Sequence, residues 1–353
     1  MRDRLQQRGV GIVTGVLLML GCAAGFAAQL APDEDWLLFQ KRYVGAEGRV
    51  IDTGNAGISH SEGQGTGMLL AVHNKDRRAF DNIWRWTHAN LKVRDDQLLA
   101  WKWVPEGAGG RVTDKNNATD GDLFVAWALY RAARLWNDAA YLKAAREISR
   151  DIRVKLIGQS PHGLYLLPAV QGFVKQDIVT VNLSYWIFPA LQEIHSIDPA
   201  PEWAGLINGG LNLLKVARFG RWQLPPDWLQ LAGKPEPAPE FKPRFGHDAV
   251  RIPLYLIWAK LGTAENVKPF TDFWSYFAGA RFVPSWSALT DDSVDSYNAS
   301  TGIQAIIALA RAQPSTATKK YPLRLPKLGA DQDYYSANLL LLTKMAALEM
   351  NAK

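Results

Sequence analysis

Apolar residues recur at helical spacing along most of this chain. Phe80, Ile83, Trp84, Thr87 and Leu91 fall at i, i+3, i+4, i+7 and i+11, one stripe of an amphipathic helix. Leu123, Ala126, Trp127, Tyr130 and Ala133 repeat the pattern, and Tyr141, Leu142, Ala145 and Ile148 carry it through 138–154. Further helices are predicted near 33–43, 61–74, 182–195, 203–219, 247–261, 266–278, 298–312 and 334–350. Some runs, such as Met68-Leu69-Leu70-Ala71-Val72 and Leu339-Leu340-Leu341-Leu342, are apolar on every side. A helix of that kind must be buried all round, whereas its half-polar neighbours need bury only one face. About a dozen helices of the two kinds in alternation predict two concentric layers, an all-α barrel.

Strand signals are few. The segments 97–104 and 163–167 are candidates, placed between helices. The breaks are rich in Gly and Pro, and Pro235, Pro237, Pro239 and Pro243 stiffen a connection too short to link domains. No fixed-period repeat of the solenoid kind is present.

The N-terminus reads differently. Arg2, Arg4 and Arg8 precede an apolar run centred on Val16-Leu17-Leu18-Met19-Leu20, and small residues cluster from Ala23 to Ala28. This order predicts a secretory signal peptide over 1–28, with a single barrel domain over 29–353. Gly11, Gly15, Gly21 and Gly25 weaken the competing reading as a membrane anchor. Cys22 offers a third reading, a lipid attachment site. Cleavage near Ala28 would remove the only cysteine, so an exported, periplasmic or secreted product would hold no disulfide. It would also lower the formal charge from +6 to +4, a weak basic bias with no Lys/Arg run for nucleic acid.

The chain of 353 residues carries 14 Trp against 13 Phe and 11 Tyr, an excess that can fill a core or line a groove with flat faces. None of the six histidines pairs as His-x-His or His-Glu-x-x-His, and no calcium loop, phosphate loop or serine nucleophile elbow occurs.

Three places can carry chemistry. In Ser61-Glu62-Gly63-Gln64-Gly65-Thr66-Gly67-Met68, alternating glycines leave room around one acid, Glu62. Such a Glu can simply complement the helix dipole. At the mouth of a buried helix it is also partly removed from water, the setting a general acid needs. In Thr119-Asp120-Gly121-Asp122 two carboxylates open a helix; one Asp suffices as a cap, and the other is free to face a cavity. In His247-Asp248-Ala249-Val250-Arg251-Ile252-Pro253, Asp248 and Arg251 stand at i, i+3 before a strongly apolar turn, a buried helix start rather than a wet face.

These three segments, together with Asn182-Leu183-Ser184-Tyr185-Trp186 and Tyr334-Tyr335, resemble motifs of glycoside hydrolase family 8, in order across nearly the whole mature chain. The resemblance implies an (α/α)6 barrel and an inverting endo-β-1,4-glucanase. It makes Glu62 the general acid, Asp248 the general base and Asp120 a contact to the distorted sugar. Arg251 would hold Asp248, and Trp101, Tyr185 and Tyr334 would touch the glucan. Family members often have Tyr before the base, where this chain has His247. Glycosidic cleavage needs one protonated and one ionised carboxyl, and no metal or cofactor. The compact form without a binding module resembles periplasmic members that serve bacterial cellulose synthesis. That implies β-1,4-glucan and the cellulose synthase machinery as partners.

The same family includes chitosanases and xylanases. Exported α/α barrels also include polysaccharide lyases, in which a residue such as His247 would be the base and Arg251 would neutralise a uronate. A purely glycan-binding protein would not need a matched acid and base.

Overall fold

In a computed structural model, Pro32–Lys353 form one compact unit. The residues described are 33–107, 109–313 and 323–351. The expected signal peptide, with Cys22, lies outside them. Among the described residues there are eleven helices: α1 (Glu34–Tyr43), α2 (Ser61–His73), α3 (Arg77–Leu91), α4 (Thr119–Trp136), α5 (Ala139–Leu156), α6 (Phe188–Ile194), α7 (Pro201–Val216), α8 (Ile252–Trp258), α9 (Ala264–Tyr276), α10 (Thr301–Arg311) and α11 (Tyr334–Asn351). None of them is long and apolar enough to cross a membrane.

Six of the described helices close a ring. α2 touches α4, α4 touches α6, α6 touches α8, α8 touches α10, α10 touches α11, and α11 returns to α2. The sequence explains who is inside. In α8 every residue is buried, and in α2 only Glu62 and His73 are not. The other five, α1, α3, α5, α7 and α9, pack outside the ring on α11, α2, α4, α6 and α8 respectively. They bury one stripe and show the other to water, as in α3, where Phe80, Ile83, Trp86, Thr87 and Leu91 face inward. Trp86 takes the inward place expected of Trp84, which is half-buried, because Trp86 lies three residues on from Ile83. This is the two-layer (α/α)6 barrel.

Glycine sets how closely the ring packs. A Cβ on Gly65 would lie 2.6 Å from the Cβ of Phe124, and one on Gly121 would lie 2.1 Å from Ser61 Oγ. The bare backbones of α2 and α4 therefore meet at their first turns.

Among the described residues, strands occupy only the connections. One three-stranded sheet joins β1 (Ser59–His60), β2 (Lys102–Glu106) and β3 (Gly109–Asp114). A hairpin pairs β4 (Ile157–Ser160) with β5 (Gly163–Leu166). Four strands, β6 (Val174–Lys175), β7 (Ile178–Val181), β8 (Leu229–Leu231) and β9 (Glu236–Pro237), form a small sheet, and β10 (Arg244–Phe245) pairs with β11 (Ser287–Ala288). The first expected strand begins later than the sequence pattern suggested, because Leu98, Leu99 and Ala100 are used as core anchors before the chain extends.

Two expected helices are shorter than predicted. The segment 182–195 is a 3-10 turn at Leu183–Tyr185 followed by α6, and 247–261 is a 3-10 turn at Ala249–Arg251 followed by α8. In both, a proline in the first helical turn (Pro189, Pro253) fixes where the α-helix starts. The residues displaced from the helix are those that build the site.

Candidate active site

The six inner helices start at the same end of the ring. Gly302 N at the start of α10 donates to Ser336 Oγ on α11 at 3.1 Å, and Tyr335 Oη on α11 donates to the His247 carbonyl before α8 at 2.6 Å. The starts of α2, α4, α6 and α8 converge on one side chain, Arg251.

Arg251 is 4% exposed. Its Nη1 donates to Glu62 Oε1 at 2.6 Å and lies 3.7 Å from Asp120 Oδ2. Its Nη2 donates to Asp248 Oδ1 at 2.7 Å and to Ser184 Oγ at 2.9 Å. One guanidinium thus joins three carboxyls drawn from positions 62, 120 and 248. The sequence expectation that Arg251 holds Asp248 covers only one of its prongs.

The three carboxyls differ in exposure. The side chains of Glu62 and Asp248 are 24% and 31% exposed, while that of Asp120 is 3% exposed. Burial, then the charge of Glu62, push the Asp120 pKa well up, against the pull of Arg251. Burial also raises Asp248, although Arg251 opposes it. Glu62 and Asp248 therefore reach the solvent side of the guanidinium, and Asp120 forms its floor.

Neither Asp at the start of α4 caps that helix in the usual way. The N-cap is Ala118, without a side-chain bond. Asp120 Oδ1 accepts from the adjacent Gly121 N at 2.8 Å. Asp122 instead accepts from Leu99 N and Asn117 Nδ2, both at 2.8 Å, and so fixes the segment leading to Trp101. Burial lifts the Asp122 pKa to about 7. α2 is capped by His60, whose Nδ1 accepts from Gly63 N at 3.0 Å.

Trp101 stands beside the acid. Its carbonyl accepts from Ser61 N at 3.1 Å, and its half-exposed indole donates from Nε1 to Asp114 Oδ2 at 2.8 Å. Tyr185 is half-buried and meets Trp228 edge-on, with ring centres 6.2 Å apart. Burial, then the charges of Asp120 and Asp248, hold its hydroxyl well above the ordinary tyrosine pKa.

Tyr334 is a correction. The ring expected to touch sugar is 3% exposed and packs against Phe39, Tyr43 and His60. Its hydroxyl lies 3.2 Å from Thr66 Oγ1, and a Cβ on Gly63 would approach it at 3.0 Å. A ring so enclosed has no face left for a sugar; it supports the first turn of α2. Its neighbour Tyr335 is the half-exposed one, edge-on to His247 at 5.7 Å.

Sequence reasoning passed over Asp227. It is 5% exposed, and its Oδ1 accepts from Gly246 N, Asp248 N and Ala249 N at 2.9, 3.2 and 2.9 Å. No motif marks it; the only hint is the rigid Pro225-Pro226 in front of it.

An α/α barrel with paired carboxyls at the inner helix starts is the framework of a class of glycan-cleaving enzymes. The pattern of glycosyl hydrolases family 8 matches residues 11–348. A probable endoglucanase of Novacetimonas hansenii is 38% identical over 94% of this chain and 96% of its own length. An endoglucanase of Cellulomonas uda is 36% identical over 79% of this chain and 77% of its own. The structure of an endo-beta-1,4-glucanase from Acetobacter xylinum superposes with a TM-score of 0.84 at 36% identity, covering 92% of this chain and all of that one. The chain belongs to glycosyl hydrolase family 8.

Proposed function

We propose that this protein is an endo-acting β-1,4-glucanase that inverts the anomeric centre, with Glu62 as general acid and Asp248 as general base. The observation that carries the assignment is the Arg251 bridge, with Glu62 on Nη1 and Asp248 on Nη2. Glycoside hydrolysis with inversion needs two carboxyls on opposite sides of the bond, with space for a water between sugar and base. Two part-exposed carboxyls held apart by a planar guanidinium suit that need, and the full-length likeness to endoglucanases supports the substrate.

In this reading Glu62 gives its proton to the glycosidic oxygen as the bond breaks, and Arg251 Nη1 stabilises the carboxylate left behind. Asp248 takes a proton from the water that attacks the anomeric carbon from the other face. Asp120 faces the sugar at the cleavage point, where burial and the Glu62 charge hold its pKa well up. Trp101 and Tyr185 flank the carboxyls as sugar platforms. We further propose export to the periplasm or medium, and action on glucan emerging from a cellulose synthase.

The test is release of reducing ends from carboxymethylcellulose, xylan and chitosan by the purified protein. Rapid release from carboxymethylcellulose with little from the others supports the reading. Preference for xylan or chitosan would move the substrate within the family. Products absorbing in the ultraviolet would indicate a lyase.

A further inference from the structure

We infer that Asp227 is a positioning residue for the proposed base: it pins the backbone turn that carries Asp248. The inference rests on Asp248 being the base.

The geometry is that of a peg in a turn. A single carboxylate oxygen collects the N–H groups of Gly246, Asp248 and Ala249, so the loop is wrapped around it. The other oxygen accepts from Arg244 Nε at 3.3 Å. Asp227 is itself tied to β10, its N–H donating to the Arg244 carbonyl at 2.8 Å. Gly246 is required by the same contact, because a Cβ there would lie 2.5 Å from Asp227 Oδ2. A side chain used in this way costs burial of a carboxylate. An apolar residue could not accept three N–H groups, each of which would otherwise be stranded.

Burial, then the neighbouring Asp248 anion, lift Asp227 to about 6. The two carboxylates therefore titrate as a linked pair. The groups facing the pair are Arg244 and His247 on the loop, Arg251 on the following turn, Glu62 from α2, Asp120 from α4, Tyr185 before α6, Tyr255 from α8 and Tyr335 from α11. Asp248 itself is raised by burial and by Glu62 and lowered by Arg251.

The experiment compares Asp227→Asn, Asp227→Ala and Asp248→Asn on cellopentaose, with kcat, KM and the pH profile of kcat, alongside thermal unfolding. Asn can still accept the three N–H groups but lacks the charge. Asp227→Ala is expected to keep KM within about twofold and lose about tenfold in kcat, while Asp227→Asn restores most of that loss with the acid limb unmoved. A wild-type kcat in Asp227→Ala, or an Asn variant as slow as Ala, with Asp248→Asn inactive, would overturn the inference and leave the base assignment standing. If Asp248→Asn turns over near the native rate, the base assignment itself fails.

Discussion

Arg251 Nη1 donates to Glu62 Oε1 at 2.6 Å across 189 residues of chain, from the turn before α8 to the first turn of α2. The same guanidinium reaches Asp248 and Asp120, so the site is one cation shared among three acids. Arg251→Lys supplies one point charge where a fork is needed, and kcat on cellopentaose should fall by about 100-fold or more. Arg251→Met leaves three carboxyls without a cation and should cost about 3–5 kcal/mol of stability at pH 8. Arg251 lowers the pKa of Asp120 and Asp248 against the effect of burial, so removing it raises both further above their unfolded values. The native state then binds more protons, and the deficit in urea unfolding should shrink from pH 8 to pH 5.

Asp120 separates a structural from a chemical role. Asn can accept from Gly121 N as Asp does, and it avoids burying a charge. Asp120→Asn should melt at the wild-type temperature or above it, yet lose about 100-fold in kcat. Wild-type kcat in this variant would leave Asp120 as part of the scaffold alone.

Trp101 can be removed without opening the core, since its indole is half-exposed and bonded to Asp114. Trp101→Ala should weaken binding of cello-oligosaccharides by about tenfold, roughly 1.4 kcal/mol, with little change in melting temperature. Calorimetric titration of an inactive Glu62→Gln background gives the affinity directly. A large thermal loss with unchanged affinity would assign the ring to packing.

Gly121 tests the ring geometry. A Cβ there would press on Ser61 Oγ at 2.1 Å, which can rotate, and on Glu62 N and Ser61 Cβ, both at 2.7 Å, which cannot swing away. Gly121→Ala should cost about 1–3 kcal/mol and displace the acid, so stability and kcat fall together. Stability unchanged in chemical denaturation would mean that the α2–α4 contact is looser than described.

Asp96 links the site-side loop to acid stability. Burial raises its pKa, but hydrogen bonds from Arg94 and Lys155 outweigh it and bring the group down to about 2. A depressed carboxylate adds stability above its unfolded pKa and loses it as pH falls through the folded value. Asp96→Asn should therefore cost about 2 kcal/mol at pH 6, and the difference should vanish as pH drops from about 4 to about 2.

The barrel was legible because helix period and all-round apolarity are local properties. The runs Met68–Val72 and Leu339–Leu342 identify inner helices without any knowledge of their neighbours. The three carboxyls were legible because each sits in a short motif with glycine or arginine beside it. What local pattern does not carry is where a side chain points once its helix is docked. Tyr334 and Tyr335 are adjacent in sequence, yet α11 turns the first into the core and the second toward His247. Asp227 was hidden for the same reason, since its partners are backbone groups 19 to 22 residues away with no side-chain signature.

The stereochemistry of the product reports most directly on the roles of Glu62 and Asp248. Proton NMR of cellopentaose hydrolysis, followed within the first minutes before mutarotation, reads the anomer first released. Attack by a water activated at Asp248, with Glu62 protonating the leaving oxygen, predicts the α-anomer first. Early appearance of the β-anomer would mean retention, a carboxylate acting as nucleophile, and a site that does not work as described.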